Sequence, residues 1–203
     1  MRASTIASAL AFAASSVNAQ YYANQSAPFY LVLSSQNETL NGSTLAACHE
    51  GAAIEGLCIS GPLTSTSQAY TFNFSDTSGQ TPAPTGVNLT GLLTYELQGS
   101  NFNVSSPMQL SYNPTSNVAT PLLQPSETGT FVAFDDEEKL TIVSYQDDTK
   151  PLPNYQVKPY YNWYACTTAA GYVYQTLAWV LGNGAPQNPT CQKVEVLRVF
   201  RGN

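Results

Sequence analysis

Histidine occurs once in the 203 residues, methionine and tryptophan twice each, and only 10% of the side chains are charged. With His49 alone, any Ser-His-Asp or Cys-His machinery must pass through that one residue. Seven Lys and Arg stand against thirteen Asp and Glu, for a net charge of −6. Neutralising phosphates needs a basic stripe, so nucleic acid is not an expected partner. No window keeps apolar residues at spacings of three and four over three turns, and little helix is expected. Beyond the first residues no apolar run is long enough to cross a membrane. The closing Val199-Phe200-Arg201-Gly202-Asn203 is not the hydrophobic tail of a lipid anchor, and no membrane anchor is expected. No internal repeat stands out.

What is present begins with a leader-like segment. Met1-Arg2 carries one positive charge, Ile6 to Ala14 is apolar, and Val17-Asn18-Ala19 supplies small residues at the positions a signal peptidase reads. The expectation is a signal peptide over 1–19 and one all-β extracellular domain over 20–203. The apolar run is too short for a span, and its cleavage-type ending argues against a buried N-terminal helix.

Four cysteines downstream of that cut fit an oxidising compartment. Of three connectivities, Cys48 with Cys58 and Cys166 with Cys191 is favoured, because each pair is close in sequence and brackets a loop. Closing those loops would contribute about 3 and about 3.5 kcal/mol on the chain-entropy model. A zinc site is the rival reading, disfavoured by the lone histidine and the lack of Cys-x-x-Cys. Glycosylation acceptors of the form Asn-x-Ser/Thr occur at Asn24, Asn37, Asn41, Asn73, Asn88 and Asn103. Asn113 and Asn188 are followed by proline and are excluded. The acceptors would clothe the N-terminal half and leave the C-terminal strands to pack or bind.

Short β-branched and aromatic runs separated by turn signals predict strands at Phe29 to Leu33, Tyr70 to Phe74, Leu92 to Leu97, Met108 to Tyr112, Thr130 to Phe134 and Leu140 to Tyr145. Asp135 to Lys139 reads as the hairpin tip joining the last two. Leu40 to Ser60 holds a tight cysteine loop, Cys48 to Cys58, residues 77–86 read as a Gly/Pro surface loop, and Pro151, Pro153 and Pro159 as a connection. Tyr160 to Cys166, Gly171 to Trp179 and Val194 to Phe200 read as a closing unit of three adjacent antiparallel strands. The fold class is all-β: a compact barrel, trefoil-like, or a β-sandwich, stapled by two disulfides.

Several residues invite chemistry. His49 beside Cys48 and Glu50 suggests a copper or zinc half-site, yet a loop histidine held by the bridge explains it more simply. Glu50, Glu55, Asp76, Glu96, Asp147 and Asp148 could supply the carboxylate pair of a glycoside hydrolase, although nothing in their spacing fixes a separation. Asp135 to Glu138 and Asp147-Asp148 could gather calcium, but the ligand spacing with a sharp-turn glycine is missing and a solvated hairpin is preferred. No catalytic residue, metal or cofactor is assigned. Tyr160, Tyr161, Trp163, Tyr164, Tyr172, Tyr174 and Trp179 cluster, and aromatic faces stack on sugar rings while hydroxyls and amides bond their oxygens. A lectin-like carbohydrate platform is one reading of the cluster; the competing one is that alternate strand residues are simply core, which would bury half of it.

Trp163-Tyr164-Ala165-Cys166, Tyr172-Val173-Tyr174 and Cys191-Gln192-Lys193-Val194-Glu195-Val196 together resemble the closing module of small secreted fungal cell-wall glycoproteins. The likeness is to the phialide-type cell-wall protein family and, more distantly, to the C-terminal module of yeast wall proteins with internal repeats. Phe29 to Leu33, Leu45 and the Cys48 loop are similar to the opening of the phialide-type proteins. The resemblance implies a non-enzymatic protein of the wall or culture fluid, with a structural or protective role and cell-wall polysaccharide as partner. The glutamine-rich repeats by which the yeast proteins attach to glucan are absent from this chain, and its first two cysteines are closely spaced.

Overall fold

The computed structural model describes residues 25–63, 73–76, 86–87, 90–146, 149–151, 153 and 155–201. Among them there is no helix, and the strands are all antiparallel. They are β1 (Phe29–Ser34), β2 (Ser43–Gly51), β3 (Ile54–Pro62), β4 (Asn73–Asp76), β5 (Gly91–Gln98), β6 (Asn103–Ser111), β7 (Val118–Leu123), β8 (Phe131–Phe134), β9 (Leu140–Gln146), β10 (Tyr155–Tyr160), β11 (Trp163–Ala169), β12 (Val173–Val180), β13 (Gln192–Lys193) and β14 (Glu195–Phe200). The main path of the sheet runs β10-β9-β8-β5-β6-β7-β12-β3-β2-β1-β14. It curls into a half-barrel, which decides between the expected barrel and sandwich.

Alternation explains most of these elements. In β1, Phe29, Leu31 and Leu33 are buried and the residues between them half-buried, the period of two that puts one face of a strand on a core. The loop expected between Cys48 and Cys58 is instead the hairpin β2–β3, with Cys48 opposite Gly56 and Ala46 opposite Cys58, and the disulfide links its two strands. Its small residues hide the strand pattern. The second bridge joins Cys166 of β11 to Cys191, just before β13. Both expected pairings are present, and no cysteine is free.

The closing unit is two strands, not three. β11 and β12 pair along their length, from Trp163 opposite Trp179 to Ala169 opposite Val173. β13 continues on β11 for two residues, and then β14 leaves to pair with β1, from Ser34 opposite Glu195 to Phe29 opposite Phe200. Val194 and Val196 go into the core beside Leu31 and Leu33, so the final run closes on the first one. Two proline-bearing segments also prove to be strands. Pro121 sits in β7 opposite Leu110, and Pro159 sits in β10, at the end of the sheet path, where a missing N–H is tolerated. The loop expected at 77–86 and the start of the strand expected at Tyr70 lie outside the described residues, Gly86 excepted.

One end of the curl, β14, meets the β8–β9 tip near the other end. Lys139, at the tip between β8 and β9, bridges to Leu197 of β14, and the Arg198 N–H donates to the Glu138 carbonyl at 2.9 Å. Trp163 reaches across the same gap from β11. Its indole is fully buried, and its Nε1–H donates to the carbonyl of Leu140 at 2.8 Å. Trp163→Phe removes that bond and opens a void in the core, and should cost about 2 to 4 kcal/mol of unfolding free energy. Denaturant titration checks this; a loss below about 0.5 kcal/mol would show that the indole bond is not structural.

Candidate functional site

The seven aromatic residues do not form one platform. Trp163 and Trp179 are directly opposed on β11 and β12, so they share the inward face, and their rings meet edge to face at 4.7 Å and 73°. Trp163 is 0% exposed and Trp179 7%. Burial in the core removes Trp163 from any sugar contact and leaves Trp179 only an edge. The remaining five divide into three places. Tyr160 joins the edge of Trp179, Tyr161 and Tyr164 flank Lys193, and Tyr172 with Tyr174 stands at the β11–β12 tip.

Tyr160 and Trp179 line a cleft of about 570 Å³ together with Leu110, Ile142, Ser144, Thr149, Lys158, Asn162, Gly182 and Asn183. These residues come from β6, β9, β10 and the end of β12, which are not all neighbours in the sheet. The curl brings them together. Lys158 Nζ lies 4.9 Å from the Tyr160 ring centre, and Asn162 Nδ2 donates to the Gly182 carbonyl at 3.1 Å. Gly182 takes the left-handed backbone (φ 70°) that a side chain would resist, which turns the chain at the rim. The result is an apolar wall with amides, hydroxyls and an ammonium around it, suited to a ligand with a flat apolar face and a polar edge. No carboxylate or histidine is among the described lining residues.

On the other side, Lys193 lies 4.8 Å from the Tyr164 ring centre and donates to the Tyr161 carbonyl. Burial pulls its ammonium below the ordinary value, with Glu195 opposing. A polar hollow of about 660 Å³ runs from here past Gln192 to Asn37. Next to it the β8–β9 tip holds the side chains of Asp135, Glu137 and Glu138 in bonds. Asp135 Oδ1 accepts the N–H groups of Glu137 and Lys139, and Oδ2 accepts the Tyr161 hydroxyl at 2.9 Å. Lys139 spans Glu137 and Glu195 at 2.8 and 3.2 Å, which hold its ammonium above the ordinary range. This hairpin is docked on β14 instead of standing free in solvent.

The carboxylates expected to be available for hydrolysis are scattered. Glu50 is 5% exposed, and its Oε2 accepts the N–H groups of Gly171 and Tyr172 at 2.9 and 2.8 Å. Glu55 lies 3.8 Å from His49 Nδ1, and burial raises its carboxyl pKa despite the imidazole. His49 and Glu50, successive strand residues, face opposite ways, exposed and buried, which separates the two halves of the expected metal half-site. Glu96 is exposed on β5 and Asp76 is in β4, while Asp147 and Asp148 lie outside the described residues. Among the described residues no group of three or more His, Cys, Asp or Glu is arranged to hold a metal ion.

The glycosylation acceptors are placed as follows. Asn37 lies in the β1–β2 turn, its Oδ1 accepting the Thr39 N–H and hydroxyl at 2.9 and 2.8 Å and its Nδ2 bonding Gln192. Asn41 and Asn103 are exposed, Asn73 begins β4, and Asn24 and Asn88 lie outside the described residues. Asn113 and Asn188, excluded by their prolines, use the same bonds to Thr115 and Thr190 to form turns.

A family model described as a domain of unknown function, DUF7907, matches residues 26–200. The chain belongs to that family. No curated protein and no solved structure matches it.

The matched span of the DUF7907 domain takes in every strand from β1 to β14, and with them the cleft, the tip and the docked hairpin. Sequence reasoning missed Lys158, Asn162, Asn183 and Lys193, whose only signal is nearness to aromatic residues. It also missed that Tyr161 binds Asp135. Burial, and then that hydrogen bond, push the Tyr161 hydroxyl from 10.0 up to about 12. A proton held more tightly in the folded state stabilises fully below pH 10, and its contribution is lost as pH rises toward about 12. Unfolding free energy of the DUF7907 domain should therefore fall more steeply across that window than that of Tyr161→Phe, by the share that this hydroxyl contributes. Equal slopes for the two proteins would contradict it.

Proposed function

We propose that this is a secreted, N-glycosylated, non-enzymatic protein of the cell wall or extracellular space that holds carbohydrate in the cleft beside Tyr160. Two disulfides fit an oxidising, extracellular setting, since such bridges do not persist among cytosolic thiols. The leader-like residues 1–19, the acceptor triplets and the resemblance to small secreted fungal wall glycoproteins support the finer reading. The observation that carries the sugar contact is the cleft itself: an aromatic wall of Tyr160 and the Trp179 edge faced by Asn162, Asn183 and Lys158. A pyranose has the same division into an apolar face and a hydroxylated rim.

A structural or protective role follows from such binding, because a protein retained on polysaccharide stays in the wall. The rival hydrolase reading has less support, as Glu50 spends one carboxylate oxygen on backbone N–H groups. Retention on insoluble chitin and β-glucan tests the proposal. Wild-type protein should be held on at least one, and Tyr160→Ala should weaken retention by on the order of tenfold, the size of a modest contact hot spot. Elution of the wild type with the buffer wash would remove the sugar contact, and release of reducing ends would favour the hydrolase.

A further inference from the structure

At the end of β12 away from the cleft, Tyr172 and Tyr174 form a row with His49. Ring centres are 5.7 Å apart from His49 to Tyr172 and 6.0 Å from Tyr172 to Tyr174, with tilts of 47° and 35°. Tyr172 is 53% exposed, and the His49 side chain 58%. Rings at a hairpin tip usually lose much freedom on binding, and the affinity suffers for it. Here the backbone beneath them is already fixed, because the buried Glu50 carboxylate accepts the N–H groups of both Gly171 and Tyr172.

Fixing the tip in this way is costly. Among the described residues Glu50 Oε1 is buried with no hydrogen-bond partner, and a carboxylate removed from water is unfavourable unless its oxygens are satisfied. The approach is also so close that a Cβ on Gly171 would lie 1.7 Å from the Glu50 carbonyl oxygen. Both constraints lie beneath a row in which Tyr172 and His49 are exposed and Tyr174 is half-buried. The rings carry phenol and imidazole groups at their rims, and Glu55 adds an acceptor 3.8 Å from His49. That chemistry suits the faces and hydroxyls of a neutral sugar chain; the adjacent carboxylate and the net charge of −6 disfavour an anion.

We infer that this tip is a second carbohydrate contact, so that one molecule bridges two polysaccharide segments. The inference rests on the sugar-binding reading of the cleft. Trp179 lies five residue steps beyond Tyr174 along β12, roughly 17 Å at about 3.4 Å per step, so one short sugar cannot fill both sites at once. Two weak contacts on one rigid strand gain by effective concentration on an insoluble polymer.

Titration calorimetry with chitobiose and laminaribiose, each shorter than that separation, beside retention on chitin and β-glucan, tests this. Wild type should take up two oligosaccharides. Tyr172→Ser, at an exposed position, should leave one, with the cleft affinity unchanged and retention on the polymer down by on the order of a hundredfold. Gly171→Ala should do the same by displacing the tip while keeping every ring. Uptake of a single oligosaccharide, abolished by Tyr160→Ala and indifferent to Tyr172→Ser, would overturn the second contact and leave the first standing. No uptake by the wild type would overturn both.

Discussion

The curl of this sheet is closed where β14 meets the β8–β9 tip, and there Arg198 lies against Glu138. The Arg198 guanidinium lies 4.2 Å from the Phe134 ring centre, 4.8 Å from Phe200 and 5.7 Å from Phe29, while its Nε–H donates to the Glu138 carboxylate. Its main-chain N–H takes the Glu138 carbonyl as well. With the arginine side chain 12% exposed and the glutamate 43%, the pair is shielded more than a surface ion pair, whose worth is near zero to 1 kcal/mol. Glu138 adopts a left-handed backbone (φ 64°), a conformation that costs a non-glycine residue about 1 to 2 kcal/mol. The clasp offsets that strain locally.

The rest of the molecule is placed by this closure. Leu140 follows the docked tip directly, so the Trp163 indole bond and the Trp163–Trp179 pair depend on where the tip sits. Trp179 in turn forms one wall of the cleft, and Tyr160 on β10 is carried by its pairing with Ile142 of β9. The two disulfides act away from the clasp, one inside β2–β3 and one between β11 and the segment before β13. They limit fraying of the hairpins but do not join the ends of the curl.

Much of this framework was legible in the letters. The alternation of Phe29, Leu31 and Leu33, the acidic turn between β8 and β9, the β11–β12 hairpin and the nearest-neighbour disulfides all rest on local signals. What escaped were choices made over distance. β14 could be read as a strand, but its partner β1 lies at the other end of the chain. β7 and β10 were hidden by prolines, and β2–β3 by Ala, Gly and Cys. The aromatic cluster was visible as a cluster, yet its dispersal into core, cleft and tip follows from which face each strand turns inward. Glu50 bonds residues more than a hundred positions away, and Arg198 bonds one sixty positions away, so neither role has a local signature.

A double-mutant cycle on the clasp tests the central claim most directly. Unfolding free energies of wild type, Arg198→Met, Glu138→Gln and the double variant give the coupling between the two side chains. If closure depends on their contact, the coupling should be about 1 to 3 kcal/mol, as for partners in one shielded network. Additivity of the two single effects within about 0.5 kcal/mol would mean that the ends of the sheet are held by something else.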